Sequence, residues 1–499
     1  MNGFPDRQLF GLALGPALFA ILLLSPTPEG LSPEGMKVAA VAALMAVWWM
    51  SEAIPIPATA LLPIVLFPFL GVMKTQQVTG AYANHLIYLF MGGFLIASAM
   101  EKWQLHRRIA LHTIRMVGIS PNRIVLGFML ATAFLSMWIS NTATAMMMTT
   151  IGLAVIGQAK ALLIEQGRHD EHAPFPFGTT LMLGIAYAAS IGGVATLIGT
   201  PPNAILAGVV EKTFGISISF TDWMLFGLPL SLLMLALTWF YLTHIMFRND
   251  MDELPGGERS ILQALAELGP MKREERLVLT VFGLVAFAWI TRGLFHIESL
   301  RFVTDSSIAI AGALALFMIP VNFRQRQFLL DWQTAVKIPW DIIILFGGGF
   351  ALAGGFNSSG LTAWTANQLM VLEGTHIAIL VAAIVLLVIF LTEVTSNTAT
   401  ASLLLPIMGA LAIAMHIHPL TTMIAVAVAA SYAFMLPVAT PPNAIVFSSR
   451  EITIPQMAKA GFALNLIGAV LISLFVIFVL PLAFGIDIQE LPANLIKQP

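Results

Sequence analysis

The sequence predicts an all-α polytopic membrane protein, and three observations predict it. Only 10% of the 499 residues are charged and 58% are hydrophobic, where a soluble domain carries about a quarter charged residues. Apolar runs such as Leu9 to Leu24, Met224 to Met246 and Leu464 to Leu482 approach or exceed the ~20 residues that take a helix across a bilayer core of about 30 Å. Such runs recur along the whole chain, so lipid is the solvent and an ordinary globular protein is excluded.

The elements follow in order. The first run, 9–25, is followed by no small-residue cleavage site and begins a series of similar runs. It therefore reads as a retained helix, not a removed signal peptide. Hydropathy and helix breakers place further crossings at 36–54, 57–73, 82–101, 177–210, 224–247, 276–294, 306–321, 340–357, 421–448 and 459–484, eleven in all. Two more apolar stretches, 124–156 and 377–413, each carry Ser-Asn-Thr near the middle. These read as re-entrant hairpins that dip into the membrane and return to the same side.

Lys and Arg test that arrangement, because cytoplasmic loops are richer in them. With the N-terminus cytoplasmic, the C-terminus outside and hairpins that do not cross, all but six of the 24 Lys and Arg fall on the cytoplasmic side. The outer six are Lys37, Lys74, Lys212, Arg292, Arg301 and Lys497. Letting either hairpin cross would invert everything after it and spoil the asymmetry. A net charge of -2 gives no reason to expect nucleic acid, and the absence of cysteine excludes disulfides, thiol nucleophiles and thiolate metal sites.

Short motifs recur at fixed offsets. Phe90-Met-Gly-Gly-Phe94 returns as Phe346-Gly-Gly-Gly-Phe350 after 256 positions, and Ser140-Asn-Thr-Ala-Thr144 returns as Ser396-Asn-Thr-Ala-Thr400 after the same 256. Thr200-Pro-Pro-Asn-Ala-Ile205 returns as Thr440-Pro-Pro-Asn-Ala-Ile445 after 240, the difference being taken up by the polar loop Gly157 to Phe177. An odd number of crossings separates the copies, so the repeats are inverted. Inverted repeats with broken helices and a midplane site are the architecture of secondary transporters. The chain divides into a first half, 1–248, with hairpin 124–156 and broken helix 177–210. A cytoplasmic linker, 249–275, leads to a second half, 276–499, with hairpin 377–413 and broken helix 421–448.

The motifs have a chemistry. Buried Asn and Thr must be satisfied in lipid, and Pro-Pro removes two backbone donors and ends any helix through it. Each break leaves carbonyl ends that suit a hard cation and N–H ends that suit an anion, while Ser, Thr and Asn side chains add neutral oxygens and donors. Duplication predicts two cation sites around one central anion, with no Arg or Lys inside either motif. A neutral site of this kind needs its cations before it holds a dianion, which couples the two.

These motifs resemble the divalent-anion:sodium symporters, the INDY-type transporters of solute carrier family thirteen, over essentially the whole chain. Both Ser-Asn-Thr and both Thr-Pro-Pro-Asn motifs stand in order. They are followed by a similar C-terminal signature in Ala430-Ser431, Phe434, Pro437-Val438-Ala439, Asn443 and Ile445-Val446. The resemblance implies a first sodium site from Ser136, Ser140, Asn141 and the Gly199 carbonyl. It implies a second from Thr392, Thr395, Asn397 and the Ala439 carbonyl. Substrate carboxylates would meet Asn141, Thr142, Asn397 and Thr398, with Thr200 and Thr440 at the Pro-Pro turns. It further implies a homodimer in which a transport domain of hairpins and broken helices slides against a scaffold domain like an elevator.

Other residues carry plainer readings. Ser, Thr and Asn in membrane helices often serve only as interhelical glue, at about 1 kcal/mol each, but duplication beside Pro-Pro breaks favours a site. Gly92-Gly93 and Gly347-Gly348 read as close-packing positions, since no Gly-Lys-Ser/Thr follows. Glu393 inside the second hairpin is either a proton carrier or a buried carboxyl that fixes the hairpin's shape, with Met137 at the matching place in the first. Glu52, beside Trp48-Trp49 and Pro55, reads as a helix-end cap. The ten His residues lie mostly in loops, as in His169, His172, His416 and His418, without zinc spacing.

The expected function is sodium-coupled symport of C4-dicarboxylates such as succinate, malate and fumarate across the plasma (bacterial inner) membrane. A dicarboxylate or citrate exchanger, a sulfate carrier or a Glu393-dependent proton-coupled carrier shares the same motifs. An enzyme is not expected, for no general acid/base constellation is evident. Broken inverted repeats also suit alternating access better than a channel.

Overall fold

The computed structural model describes residues 6–492 apart from 119, 169, 171–172, 174, 249–250, 252 and 296–301. Arg301, Lys497, His169, His172 and the start of the linker lie outside the described residues. The described chain is helical throughout but for one two-stranded antiparallel ribbon, Pro320–Asn322 with Gln327–Phe328. Among the described residues nine helices are long and apolar enough to cross a membrane. A tenth is added if Leu361–Leu372 and Ile377–Thr392, bent by 116°, form one span.

Each of the eleven predicted crossings holds helix, though not always as one rod. The stretch 57–73 divides into Ile56–Thr59 and Leu62–Phe69, each opening with a proline in its first turn, where a missing N–H costs nothing. The next crossing starts anew at His85–Lys102, where Asn84 Oδ1 accepts from Leu86 N at 2.8 Å. The helix Asp305–Met318 has only 14 residues and runs into the ribbon.

All four polar motifs interrupt helix. The first hairpin folds as Pro121–Ser136 and Asn141–Glu165, and the second as Ile377–Thr392 and Asn397–Ala414. The Pro-Pro segments divide Pro176–Val194 from Pro201–Phe214 and Pro419–Ala429 from Pro441–Ser448. Each restart is locally encoded. Ser140 and Ser396 cap the second hairpin arms, accepting from Ala143 N and Ala399 N at 3.2 and 3.5 Å, and the prolines occupy the first turn after Thr200 and Thr440.

The broken helices form the centre of the molecule. Every residue from Phe177 to Val194 is buried, as is all of Pro419–Ala429. At the periphery Asp6–Leu24 buries only Gly11 and Gly15, whose missing Cβ atoms let it lie against Ser51 and Trp48. The Gly-Gly pairs are close-packing positions, as expected. A Cβ on Gly92 would sit 2.6 Å from Ala309, one on Gly347 2.0 Å from the Tyr82 ring, and one on Gly348 2.6 Å from Ala60.

Several helices fall between the predicted spans, and the two longest are amphipathic, so a search for apolar spans passes over them. Leu105–Val117 follows the fourth crossing, and Gly257–Leu268 lies within the linker. They pack together on buried Leu111, Ile114 and Ile261. Buried Arg108 pairs with Glu275 and donates to Gly269 O at 3.0 Å. The linker is thus folded against the first half rather than free.

Candidate functional site

The four breaks meet at one cavity of about 660 Å³. Ser140, Asn141, Thr142, Gly199, Thr200, Thr395, Asn397, Thr398, Ala439 and Thr440, all named from the sequence, line it. Ser136 and Thr392 do not reach it; both are fully buried just behind the hairpin turns. Residues 140–142, 200–202, 396–398 and 440–442 each stand at a helix N-terminus, so four such ends open on one space. Each carries about +0.5 of an elementary charge, and the two Ser-Asn-Thr ends add backbone N–H groups that the Pro-Pro ends lack at their first two positions. Four together can attract an anion without a lysine, and they come as two pairs.

Behind each pair lies a cluster of oxygens with too few protons. Ser136 Oγ is 2.5 Å from Asn141 Oδ1 and 2.7 Å from Ala189 O, yet one hydroxyl has one proton to donate. Thr392 repeats this at 2.6 Å from Asn397 Oδ1 and 3.1 Å from Ala430 O. The Gly199 carbonyl joins the first cluster, because Gly193 lacks a side chain. A Cβ there would stand 2.8 Å from Asn141 Oδ1 and 3.0 Å from Gly199 O. Surplus lone pairs converging on one place are what a hard cation requires. Two sequence-named hydroxyls are engaged elsewhere. Ser140 caps its helix, and Thr395 Oγ1 bonds Leu391 O at 2.8 Å and Thr400 Oγ1 at 2.7 Å, which leaves each hydroxyl oxygen one lone pair to offer a cation.

Glu393 is fixed by donors. Its Oε1 accepts from Phe434 N, Met435 N and Asn465 Nδ2 at 2.8, 2.9 and 2.7 Å, and its Oε2 from Leu436 N at 3.1 Å. Four donors hold the carboxyl in one place, as a structural role requires. What it holds is the backbone of the second break and the helix Ile454–Leu474, not its own hairpin.

Other residues of the site escaped the sequence reading. Asn203 Nδ2 donates to Thr196 O at 2.8 Å and Gly193 O at 3.4 Å, while Asn443 Nδ2 donates to Leu436 O at 3.0 Å and Ala433 O at 3.1 Å. Each of these pairings repeats at the motif's own offset of 240. The asparagine of Thr-Pro-Pro-Asn therefore clamps the break and is buried away from the cavity. Ser190 also lines the cavity, as do Arg7, Glu52 and Asp341. Arg7 donates to Met50 O. Glu52 takes a left-handed backbone (φ 52°) that ends its helix, which agrees with the capping role read from the sequence. Helices that carry none of the four polar motifs add apolar lining from Ile56, Pro57, Phe90, Phe94, Ile342 and Leu345.

Comparison with known proteins agrees with this geometry. A family model described as the sodium:sulfate symporter transmembrane region matches residues 7–484. The sodium-dependent dicarboxylate transporter SdcS of Staphylococcus saprophyticus is 48% identical over 489 residues, 97% of this chain and 94% of that one. SdcS of Staphylococcus aureus is also 48% identical, over 98% of this chain and 94% of its own. Two solved structures share the fold. The YdaH transporter of Alcanivorax borkumensis has a TM-score of 0.57 and 13% identity, covering 96% of this chain and 99% of its own. MtrF of Neisseria gonorrhoeae has a TM-score of 0.55 and 11% identity, covering 96% of each. The resemblance drawn from the motifs is thereby borne out, and the chain belongs to the sodium:sulfate symporter family of membrane transporters.

Proposed function

We propose that the protein is a sodium-coupled symporter of C4-dicarboxylates of the succinate, malate and fumarate type, working in the plasma membrane. The observation that carries this is the pairing of four helix N-termini on one cavity, with a proton-poor oxygen cluster behind each pair. Two pairs of N-termini suit an anion with a carboxylate at each end, and the name of the 48% identical relatives points the same way. Asn141 and Thr142 take one carboxylate, Asn397 and Thr398 the other, and Thr200 and Thr440 close the ends. Sodium sits with Ser136, Ser140, Asn141 and Gly199 in the first cluster, and with Thr392, Thr395, Asn397 and Ala439 in the second.

In this reading the ions bind first. Without them the clusters present lone pairs beside the anion; with them two positive charges offset a dianion in a low-dielectric site. The two-faced cavity suits an elevator, since the polar wall travels with its substrate while the apolar wall of Phe90, Phe94 and Leu345 forms no bonds to break. Hairpins and broken helices form the moving part, the remaining helices a scaffold, and two chains a homodimer. The N-terminus is cytoplasmic and the C-terminus outside in this reading, and the cavity, lined by Arg7, Glu52 and Asp341, opens towards the cytoplasm.

Calorimetric titration of the purified protein tests the substrate. Succinate should bind in sodium and not in choline, and sulfate should bind far more weakly. Sulfate binding tighter than succinate would replace a two-headed with a compact substrate.

A further inference from the structure

Asn141 Oδ1 faces acceptors: the Ser136 hydroxyl, already committed between two oxygens, and the Ala189 and Gly199 carbonyls. The two ends of a primary amide have nearly one shape and opposite hydrogen-bonding character. Turned by half a rotation, the same side chain puts Nδ2 where it donates to Ser136 Oγ at 2.5 Å, Ala189 O at 3.2 Å and Gly199 O at 3.3 Å. One orientation gathers oxygens and the other satisfies them. Which one prevails depends on whether a positive charge is present among those oxygens.

The amide also has room to turn. It lies against Gly193, where a Cβ would stand 2.8 Å from Oδ1 and 3.1 Å from Nδ2. In the second half the position 240 residues on is Ala433, so this room belongs to the first half.

We propose that the orientation of the Asn141 amide couples cation to anion. With sodium in the first cluster, Oδ1 points inward to the ion and Nδ2 faces the cavity, where it donates to a substrate carboxylate. Without sodium, Nδ2 turns inward onto the Ala189 and Gly199 carbonyls. The cavity then meets Oδ1, an acceptor that repels a carboxylate. Sodium thus reverses the polarity of one substrate contact as well as adding charge. This inference rests on the sodium–dicarboxylate reading of the same site.

The test follows the side-chain NH₂ signal of Asn141 in protein labelled with ¹⁵N-asparagine and held in nanodiscs. The signal is assigned by its loss in Asn141→Asp or, should that variant not fold, Asn141→Ser. Exchange of the amide protons with water should be slow in choline, at least about tenfold faster in sodium, and slow again when succinate is added. Equal exchange in choline and sodium overturns the switch. Succinate binding measured on the same sample separates the two ideas. Binding that ignores sodium defeats the sodium–dicarboxylate reading itself, whereas sodium-dependent binding with an unmoved amide defeats only the switch. Asn141→Asp supplies a second readout, since a carboxylate presents oxygen in either orientation and has no donor. It should retain sodium binding, followed by tryptophan fluorescence, and bind no succinate at any sodium concentration; succinate binding by this variant contradicts the proposal.

Discussion

Asn141 and Asn397 stand where an oxygen cluster meets the cavity, and a primary amide carries an acceptor and a donor on separate atoms without charge. Asn141→Ala and Asn397→Ala should each reduce sodium-driven uptake to background while leaving a folded, monodisperse protein, checked by uptake and size-exclusion chromatography together. Glu393 is the contrasting case. Glu393→Gln sets an NH₂ group against backbone N–H donors, which leaves buried groups unpaired at about 1–3 kcal/mol each. The thermal midpoint should fall clearly, while the uptake that remains stays sodium-driven. Loss of sodium coupling without loss of stability would restore a charge-carrying role. The sequence exposed Glu393 as an intramembrane acid but could not assign it. Three of its four donors are backbone groups some forty residues further on, and backbone donors have no residue signature.

The breaks belong to the scale of elements. Pro-Pro dictates that helix must stop, but not what holds the loop that results. Asn203 and Asn443 do that, and their pairings repeat in both halves. Asn443→Ala should cost about 1–3 kcal/mol by stranding the Ala433 and Leu436 carbonyls, measured as a lowered thermal midpoint. Gly193→Ala should spare the fold's remote parts but wedge a methyl into the first cation cluster. A loss of about 1.4 kcal/mol there raises the sodium requirement about tenfold, read from the sodium dependence of uptake. At the start of the second broken helix, His418 Nδ1 accepts from Leu420 N at 3.2 Å, and burial pushes its pKa from the usual 6.5 down to about 4. Between those values the unfolded chain binds a proton that the folded chain refuses, so stability falls as pH drops through that window. His418→Asn keeps an N-cap without a titrating ring. Its melting temperature should therefore fall less between pH 7 and pH 5 than that of the unaltered protein.

At the scale of the whole molecule, hydropathy and one repeated offset made most of the architecture legible. Lipid forces helices, and duplication leaves its copies in register at Ser140 and Ser396. The resemblance of the motifs to a known family named twelve candidate site residues, and ten of them line one cavity. What stayed hidden obeys other rules. Leu105–Val117 and Gly257–Leu268 are amphipathic, and their partners lie far along the chain, as Arg108 and Glu275 do. Ile56, Phe94 and Leu345 look like ordinary filling in the sequence, and only the fold brings them into the cavity lining beside the motifs.

Uptake of labelled succinate into proteoliposomes tests the whole account most directly, with an inward sodium gradient or none, and with the interior empty or loaded with succinate. The account predicts accumulation in empty vesicles that requires the sodium gradient. Uptake that appears only against internal dicarboxylate and ignores sodium would contradict it, making the protein an exchanger and removing both cation sites.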